Sequence, residues 1–509
     1  MAAPVNVIVK WGKEKVPVEA LLNEPPEIFK AQLFAATGVE PSRQKIMFKG
    51  KTLPSDTWEG FPELKEGAML MMMGSAEAVP QAPVKKTVFM EDMSEGELNK
   101  ALALPAGLKN LGNTCYMNAT LQCLKTVPEL RQAILNYRGT INPLAGSFEP
   151  TAALVTALRD LYRSMDEGSR AEVVPFLLLQ VLHMAFPQFA EKGERGELMQ
   201  QDANEFWVEL LRVLQQHIGD SAAGDHQVAA TRDVITGYFG GRLDVEMKCK
   251  EAPDEPPSSS HETFLQLSCF MNADVKYLQS GLKARLKEEL TKHSPSLDRD
   301  ALYERTSLIS RLPAYLVVQF VRFYYKEQSR TNAKVLRDVK FSMQLDMYDF
   351  CTEELRNKLL PMRNKFKDEE DKAVEMKAVK TDLLSKKPKG EPLPFSFPDD
   401  PGSNNSGFYT LQAVLTHKGR SSNSGHYVAW IRCAPESDNW VMCDDDTITA
   451  VTEEDILKLS GGGDWHCAYV LLYGPRRLFA DESITTATNG STPSSDAVMA
   501  DVSGSETTS

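Results

Sequence analysis

The sequence predicts an α+β fold in two unequal domains, and three observations carry that prediction. Short alternating apolar runs surround one helical stretch within the first 75 residues; helix-period runs follow Cys115; and β-branched or aromatic runs dominate from about residue 233 to Tyr473. With 509 residues, 42% of them hydrophobic and 25% charged, the chain can fill more than one core.

In the first domain, Val5, Val7, Val9 and Trp11 alternate as a strand does, Gly12 marks a turn, and Val16 and Val18 begin a second strand. After Pro25 and Pro26, the residues Phe29, Leu33 and Ala36 share one face of a helix that Gly38 stops. Residues 46–48 and 70–73 are expected as further strands, with 71–73 in the core and at an edge rather than on a binding surface. From 76 to 100 the chain turns to Ala, Pro, Val and charge without a period, the composition of a flexible linker.

The second domain is expected over 101–478, with helices at 151–165, 173–186 and after Asp202, strand-like runs between 233 and 277, and a central strand at 316–323. Residues 324–334 are polar and are expected as a loop. Residues 362–406 mix Lys, Glu, Asp and Pro, which suits a solvated helix and a mobile charged insertion, and 479–509 is a Ser/Thr-rich tail expected to be disordered.

A formal net charge of −13 removes the basic surface that phosphate backbones require, so nucleic acid is not an expected partner. A basic partner suits an acidic protein better. The eight cysteines, at 115, 123, 249, 269, 351, 433, 443 and 467, lack the dense spacing of a secreted disulfide scaffold. No charged-then-apolar leader opens the chain, and its most apolar segment, 173–186, is short for a bilayer and interrupted by Gln180 and His183. The expectation is a cytoplasmic protein, with the nucleus also open to it, that makes no membrane contact and is monomeric when free.

The stretch GLKNLGNTCYMNATLQCL, from Gly107 to Leu124, carries the chemistry. Cys115 follows two polar residues able to cap a helix and opens a run with Met117, Leu121 and Leu124 at helical spacing. A thiol at a helix N-terminus meets unpaired N–H groups and the positive end of the dipole, both of which favour the nucleophilic thiolate. Asn110, in the Gly-rich turn before it, offers a side-chain amide to an oxyanion. Among eight histidines, His426 stands at the mouth of an alternating strand, SGHYVAW, behind the loop GRSSNS, where an imidazole suits proton transfer; His417 is the structural competitor. The aspartates Asp444, Asp445 and Asp446, on the strand expected beside it, offer a carboxylate to orient the imidazole.

These boxes resemble those of the ubiquitin-specific proteases, a family of papain-like thiol hydrolases. The resemblance implies a thumb, palm and fingers catalytic domain in which Cys115 is the nucleophile, His426 the base and acid, Asn110 the oxyanion residue and Asp444 the orienter, with Asp445 in reserve. The box QQDANEF resembles the family's second motif. There Asp202 and Glu205 would pair with arginines of the ubiquitin tail, a match of guanidinium to carboxylate, and Gln201 and Tyr427 would also line the substrate. Many family members hold zinc in the fingers with paired Cys-x-x-Cys motifs; here Cys249 and Cys269 stand outside such pairs, so neither metal nor other cofactor is expected.

The first 75 residues resemble a ubiquitin-like domain, a β-grasp fold, with GKTL after the third strand and Met73-Gly74-Ser75 in place of a diglycine tail. That pairing of domains is similar to a proteasome-associated branch of the family. It implies docking of residues 1–75 on the 26S proteasome regulatory particle, with Met47 at the contact, and ubiquitin and polyubiquitinated proteins as substrates. Residues 324–334 and 419–424 would then cover the tail channel until docking relieves them. The rival class is a ubiquitin receptor that keeps the binding surface but turns nothing over.

Overall fold

The computed structural model describes residues 4–480 apart from 55–56, 75–103, 142–147, 168–170, 219–232, 273, 327–330, 380–389, 422–423, 436 and 464. The expected linker therefore lies outside the described residues, as does the tail beyond 480. The chain divides into two compact units, Met1–Asp92 and Met93–Ser509.

The first unit is a five-stranded sheet in the order β2-β1-β5-β3-β4, built from β1 (Val5–Trp11), β2 (Glu14–Ala20), β3 (Lys45–Phe48), β4 (Lys51–Thr52) and β5 (Ala68–Met73). One helix, α1 (Pro26–Thr37), crosses it, started by proline and closed by Gly38 in the left-handed region, whose N–H donates to Phe34 O at 2.8 Å. Strand β5 is the middle strand, not an edge. Its period of two buries Leu70 and Met72 and leaves Met69, Met71 and Met73 about half exposed, so the expectation of a core run at 71–73 fails on alternation. Met47 pairs with Met71 in the neighbouring strand, and the methionines share a shallow groove with Lys10 and Lys49.

In the second unit a buried helix, α2 (Cys115–Lys125), has every residue from Cys115 to Leu124 removed from solvent. Beside it lie α3 (Pro128–Asn136), α4 (Pro150–Asp166), α5 (Phe176–Ala185) and α6 (Ala203–His217). Val173, expected to begin the α5 helix, instead lies in a two-residue strand, β7 (Glu172–Val173), which pairs with β6 (Gly107–Leu108), and Pro175 delays the helix start.

The other face of α2 rests on an eight-stranded sheet. Its strands are β10 (Leu267–Phe270), β13 (Leu316–Val321), β16 (Gln344–Asp346), β17 (Phe408–Ser421), β18 (Ser424–Arg432), β19 (Trp440–Asp444), β20 (Thr447–Val451) and β21 (Cys467–Pro475). Both faces are covered. Along β18, Tyr427, Ala429 and Ile431 join the core shared with α2, while Val428 and Trp430 join the core on the opposite side.

A separate four-stranded sheet, in the order β11-β12-β8-β9, comprises β8 (Gly241–Cys249), β9 (Ser258–Phe264), β11 (Lys287–Ser294) and β12 (Arg299–Arg311). Cys249 belongs to this sheet's small core and Cys269 to that of β10, both as buried free thiols; burial pushes Cys269 up to about 12.

Three expectations need correction. In place of the loop expected at 324–334, β14 (Phe323–Lys326) and β15 (Thr331–Lys334) pair as antiparallel strands, residues 327–330 lying outside the described residues. In the segment 362–406 the expected helix is present over Glu353–Val379, but it is not wholly solvated, since it buries Phe366 and pairs Arg363 with Asp346 at 2.7 Å; residues 380–389 lie outside the described residues. Near the segment's other end, buried Asn404 accepts from the N–H groups of Ser406 and Gly407 at 2.9 and 2.8 Å, so polar composition there satisfies backbone rather than water. Finally, the ordered chain passes 478, with Phe479 bridged to Pro392.

Candidate active site

Helix α2 starts without a side-chain cap, although Asn113 and Thr114 precede it. Thr114 Oγ1 instead accepts the Leu111 N–H at 2.9 Å, and Asn113 gives its amide to Leu198 O at 2.7 Å. The N–H groups of Thr114 and Met117 are taken by Asn110 Oδ1 and Thr114 O at 3.2 and 3.1 Å, while those of Cys115 and Tyr116 meet no side-chain cap. The turn before it needs left-handed backbone at Gly112 (φ 103°) and Asn113 (φ 53°), which glycine and asparagine tolerate.

The structure brings Cys115, His426 and Asp444 together from α2, β18 and β19. His426 Nε2 lies 2.5 Å from Asp444 Oδ1, and the thiol is near enough to the same imidazole to favour its charged form. The neighbouring backbone N–H of Tyr427 donates to Cys115 Sγ at 3.4 Å. His426 is raised to about 10, first by Asp444 and then by Cys115, against the pull of burial; Asp444 is lowered, chiefly by His426. The imidazole is thus held as a cation between two partners that favour its charge. His417, by contrast, is fully buried, and burial with the nearby Lys334 ammonium pushes it down to about 3.

Asp445 does different work from its neighbour. Its backbone is left-handed, with φ 53°, and its carboxylate, though near His426, accepts from the amides of Asn110 at 2.8 Å and Asn118 at 2.9 Å, while its carbonyl accepts the Leu108 N–H at 2.8 Å. Asn110 gives one amide hydrogen to this carboxylate, and its oxygen accepts from Gly112 and Thr114, which fixes the turn in front of the thiol. His426, Asp444 and Asp445 are close enough to share a cation, yet each already has a hydrogen-bond partner.

The second box splits in role. Asp202 caps α6, accepting from the N–H groups of Asn204 and Glu205 at 2.7 and 3.0 Å, and both its oxygens also accept from Tyr469 OH. Burial raises it despite these donors. Glu205 is the exposed carboxylate, raised first by partial burial and then by Asp202, Glu209 and Glu191, which marks an acidic patch. Gln201 is half-buried, and it is Gln200, the residue before it, whose amide reaches Cys115 Sγ. Tyr427 is buried, so its contribution at the thiol is the backbone N–H, with its ring packed on His417 and Tyr469.

Sequence reasoning missed Gln200, Asn118, Tyr469 and the separate role of Asp445. Gln200 stood inside a recognised motif, but only the chain direction into α6 decides which of two glutamines faces the sulfur. Lys334 was missed too: at the end of β15, its ammonium donates to His417 O at 2.7 Å and Gly419 O at 3.0 Å, tying that strand to β17.

Comparison with known proteins adds the following. A family model described as ubiquitin carboxyl-terminal hydrolase matches residues 106–473, and one described as ubiquitin family matches residues 5–77. Ubiquitin carboxyl-terminal hydrolase 14 of Caenorhabditis elegans is 43% identical over 92% of this chain and 93% of its own. Ubiquitin carboxyl-terminal hydrolase 6 of Arabidopsis thaliana is 42% identical over 92% and 99%, and the protein of that name from Schizosaccharomyces pombe is 37% identical over 92% and 98%.

Proposed function

The chain belongs to the ubiquitin carboxyl-terminal hydrolase family, a cysteine-type deubiquitinase with an N-terminal ubiquitin-like domain, and from that premise we propose that Cys115, His426 and Asp444 cleave the bond after ubiquitin's C-terminal glycine on proteins held at the proteasome. The observation that carries this reading is the contact sequence Asp444–His426–Cys115, assembled from two strands and a helix start.

Cys115 thiolate adds to the glycine carbonyl, and the carbonyl π pair moves onto oxygen. Asn110 and the N–H groups of the helix start stabilise that oxyanion. Its collapse expels the lysine amine, which takes the proton from His426 and leaves a thioester. The neutral imidazole then removes a proton from water as water adds to the thioester, and the second collapse returns the thiolate and frees ubiquitin. Asp444 holds one imidazole orientation throughout. Glu205, with Gln201 at the entry to α6, receives the basic ubiquitin tail, and Asp202 holds that entry in place.

The first domain docks on the proteasome regulatory particle through the face of Met47, a reading supported by three further methionines exposed beside it. Strands β14 and β15, with the end of β17 at 419–421, cover the tail channel of the free enzyme, and docking relieves them. The site of action is the cytoplasm and nucleus. Cleavage of a ubiquitin–fluorophore conjugate, with and without purified proteasome, tests these readings. Turnover that Cys115→Ala abolishes and that proteasome increases is expected; no turnover in either condition would leave the receptor reading instead.

A further inference from the structure

We infer that Gln200 is a catalytic residue of this thiol hydrolase: its side-chain amide donates to the sulfur in the resting enzyme and to the oxyanion when the carbonyl carbon is attacked. Gln200 Nε2 lies 3.3 Å from Cys115 Sγ, and no other described side-chain amide is hydrogen-bonded to that sulfur. The residue is buried, at 8% exposure, so its donor works in a site from which most water is excluded.

Its placement is rigid. Asn113, from the turn before Cys115, donates to Leu198 O at 2.7 Å; Met199 N donates to Glu191 O at 2.9 Å; and Asp202 locks the following helix start. The segment carrying Gln200 is therefore tied to the segment carrying the nucleophile two residues before the amide and fixed by a cap two residues after it. Asn110, the other side-chain amide of the site, has already given one of its hydrogens to Asp445, which leaves Gln200 as a second donor on the opposite chain segment.

When sulfur bonds to the carbonyl carbon, the oxygen comes to rest close beside the sulfur, so a donor now about 3.3 Å from Sγ needs little movement to reach it. The π pair becomes a lone pair on that oxygen, and the amide N–H meets charge that was absent in the substrate. A donor aimed where charge develops affects kcat and leaves ground-state binding alone.

This inference rests on the hydrolase reading, and the experiment separates the two. Full-length wild type, Gln200→Met, Gln200→Ala and Cys115→Ala are compared for ubiquitin–fluorophore cleavage and for equilibrium binding of ubiquitin and ubiquitin aldehyde, whose adduct with Cys115 carries the tetrahedral oxygen. Methionine keeps the length of the side chain but has no donor. The expected result is a fall in kcat of about 10²- to 10³-fold with KM within about twofold, and aldehyde affinity reduced at least about tenfold while ubiquitin affinity is unchanged. Melting curves confirm that the variants fold, and the aldehyde-to-ubiquitin affinity ratio decides the matter even in a preparation without turnover. Wild-type kcat and an unchanged ratio in Gln200→Met would overturn the role of Gln200 while leaving the hydrolase intact. Equal loss of ubiquitin and aldehyde binding would overturn it as well, reducing Gln200 to a packing residue. Absence of both turnover and aldehyde adduct in wild type would instead overturn the hydrolase reading beneath it.

Discussion

Replacing Asp444 by alanine removes the largest influence that raises His426 to about 10. The bond lost is a charge-assisted contact at 2.5 Å. Such bonds contribute about 1.5–3 kcal/mol, and one pKa unit corresponds to about 1.4 kcal/mol, so the imidazolium should release its proton about 1–2 units lower. The His426 side chain is 34% exposed, and solvent screening places the shift at the lower end of that range, about one unit. In the wild type the raised histidine contributes stability that is fully present below its ordinary 6.5 and is lost as pH rises through about 10. The lowered aspartate contributes stability present above its ordinary 3.8 and lost as pH falls through its depressed value. The ion pair thus spans the whole neutral range, and the alanine variant should lose its alkaline reserve first. The assay is kcat/KM for ubiquitin–fluorophore cleavage across neutral and alkaline pH. At neutral pH activity should fall about 10²- to 10⁴-fold, and the alkaline limb of the profile should move to lower pH. An alkaline limb that coincides with that of the wild type would refute the assignment of Asp444 as the group that holds the imidazole.

Asp445→Ala should lower kcat without moving that alkaline limb, because its partners are Asn110 and Asn118; Asn118 keeps the Leu108 and Lys109 carbonyls, and the Asn110 amide left without an acceptor should cost about 1–3 kcal/mol, read as a lower melting midpoint. Asp202→Ala should act mainly on stability, losing a helix cap worth about 1–2 kcal/mol and stranding the Tyr469 hydroxyl for about 1–3 more, in a denaturant titration. Glu205→Lys should raise KM for ubiquitin about tenfold with kcat preserved, and added salt should narrow the difference between variant and wild type.

The α+β architecture and both domain types were legible in alternation, helix period and stop signals, since each is local: Gly38 closes α1 where its position says it should. The triad residues were legible because each stood in a long ordered motif. Local pattern fails where the answer depends on what lies across the chain. The run at Met71 to Met73 is apolar whether it is buried or displayed, and only its place in mid-sheet, with one face uncovered, decides which methionines are exposed. Polar segments such as 401–407 resemble solvated loops until the backbone groups they satisfy are known. The two glutamines before Asp202 are equivalent as sequence, and the direction of the chain past the thiol separates them.

The three consecutive aspartates show how much a short turn can coordinate. Asp444 ends β19 bonded to His426; Asp445, at φ 53°, binds both the turn before Cys115 and, through Asn118, the helix that carries it. Asp446 completes the contact with its backbone: a Cβ added to Gly107 would sit 2.4 Å from Asp446 O, so only glycine allows the two segments to approach this closely. One hairpin turn therefore sets the register between the strand that carries the base and the helix that carries the nucleophile. Distance between Cys115 and His426 is controlled at that turn, and a charge run that composition alone would leave to solvent becomes the joint on which the geometry of the reaction depends.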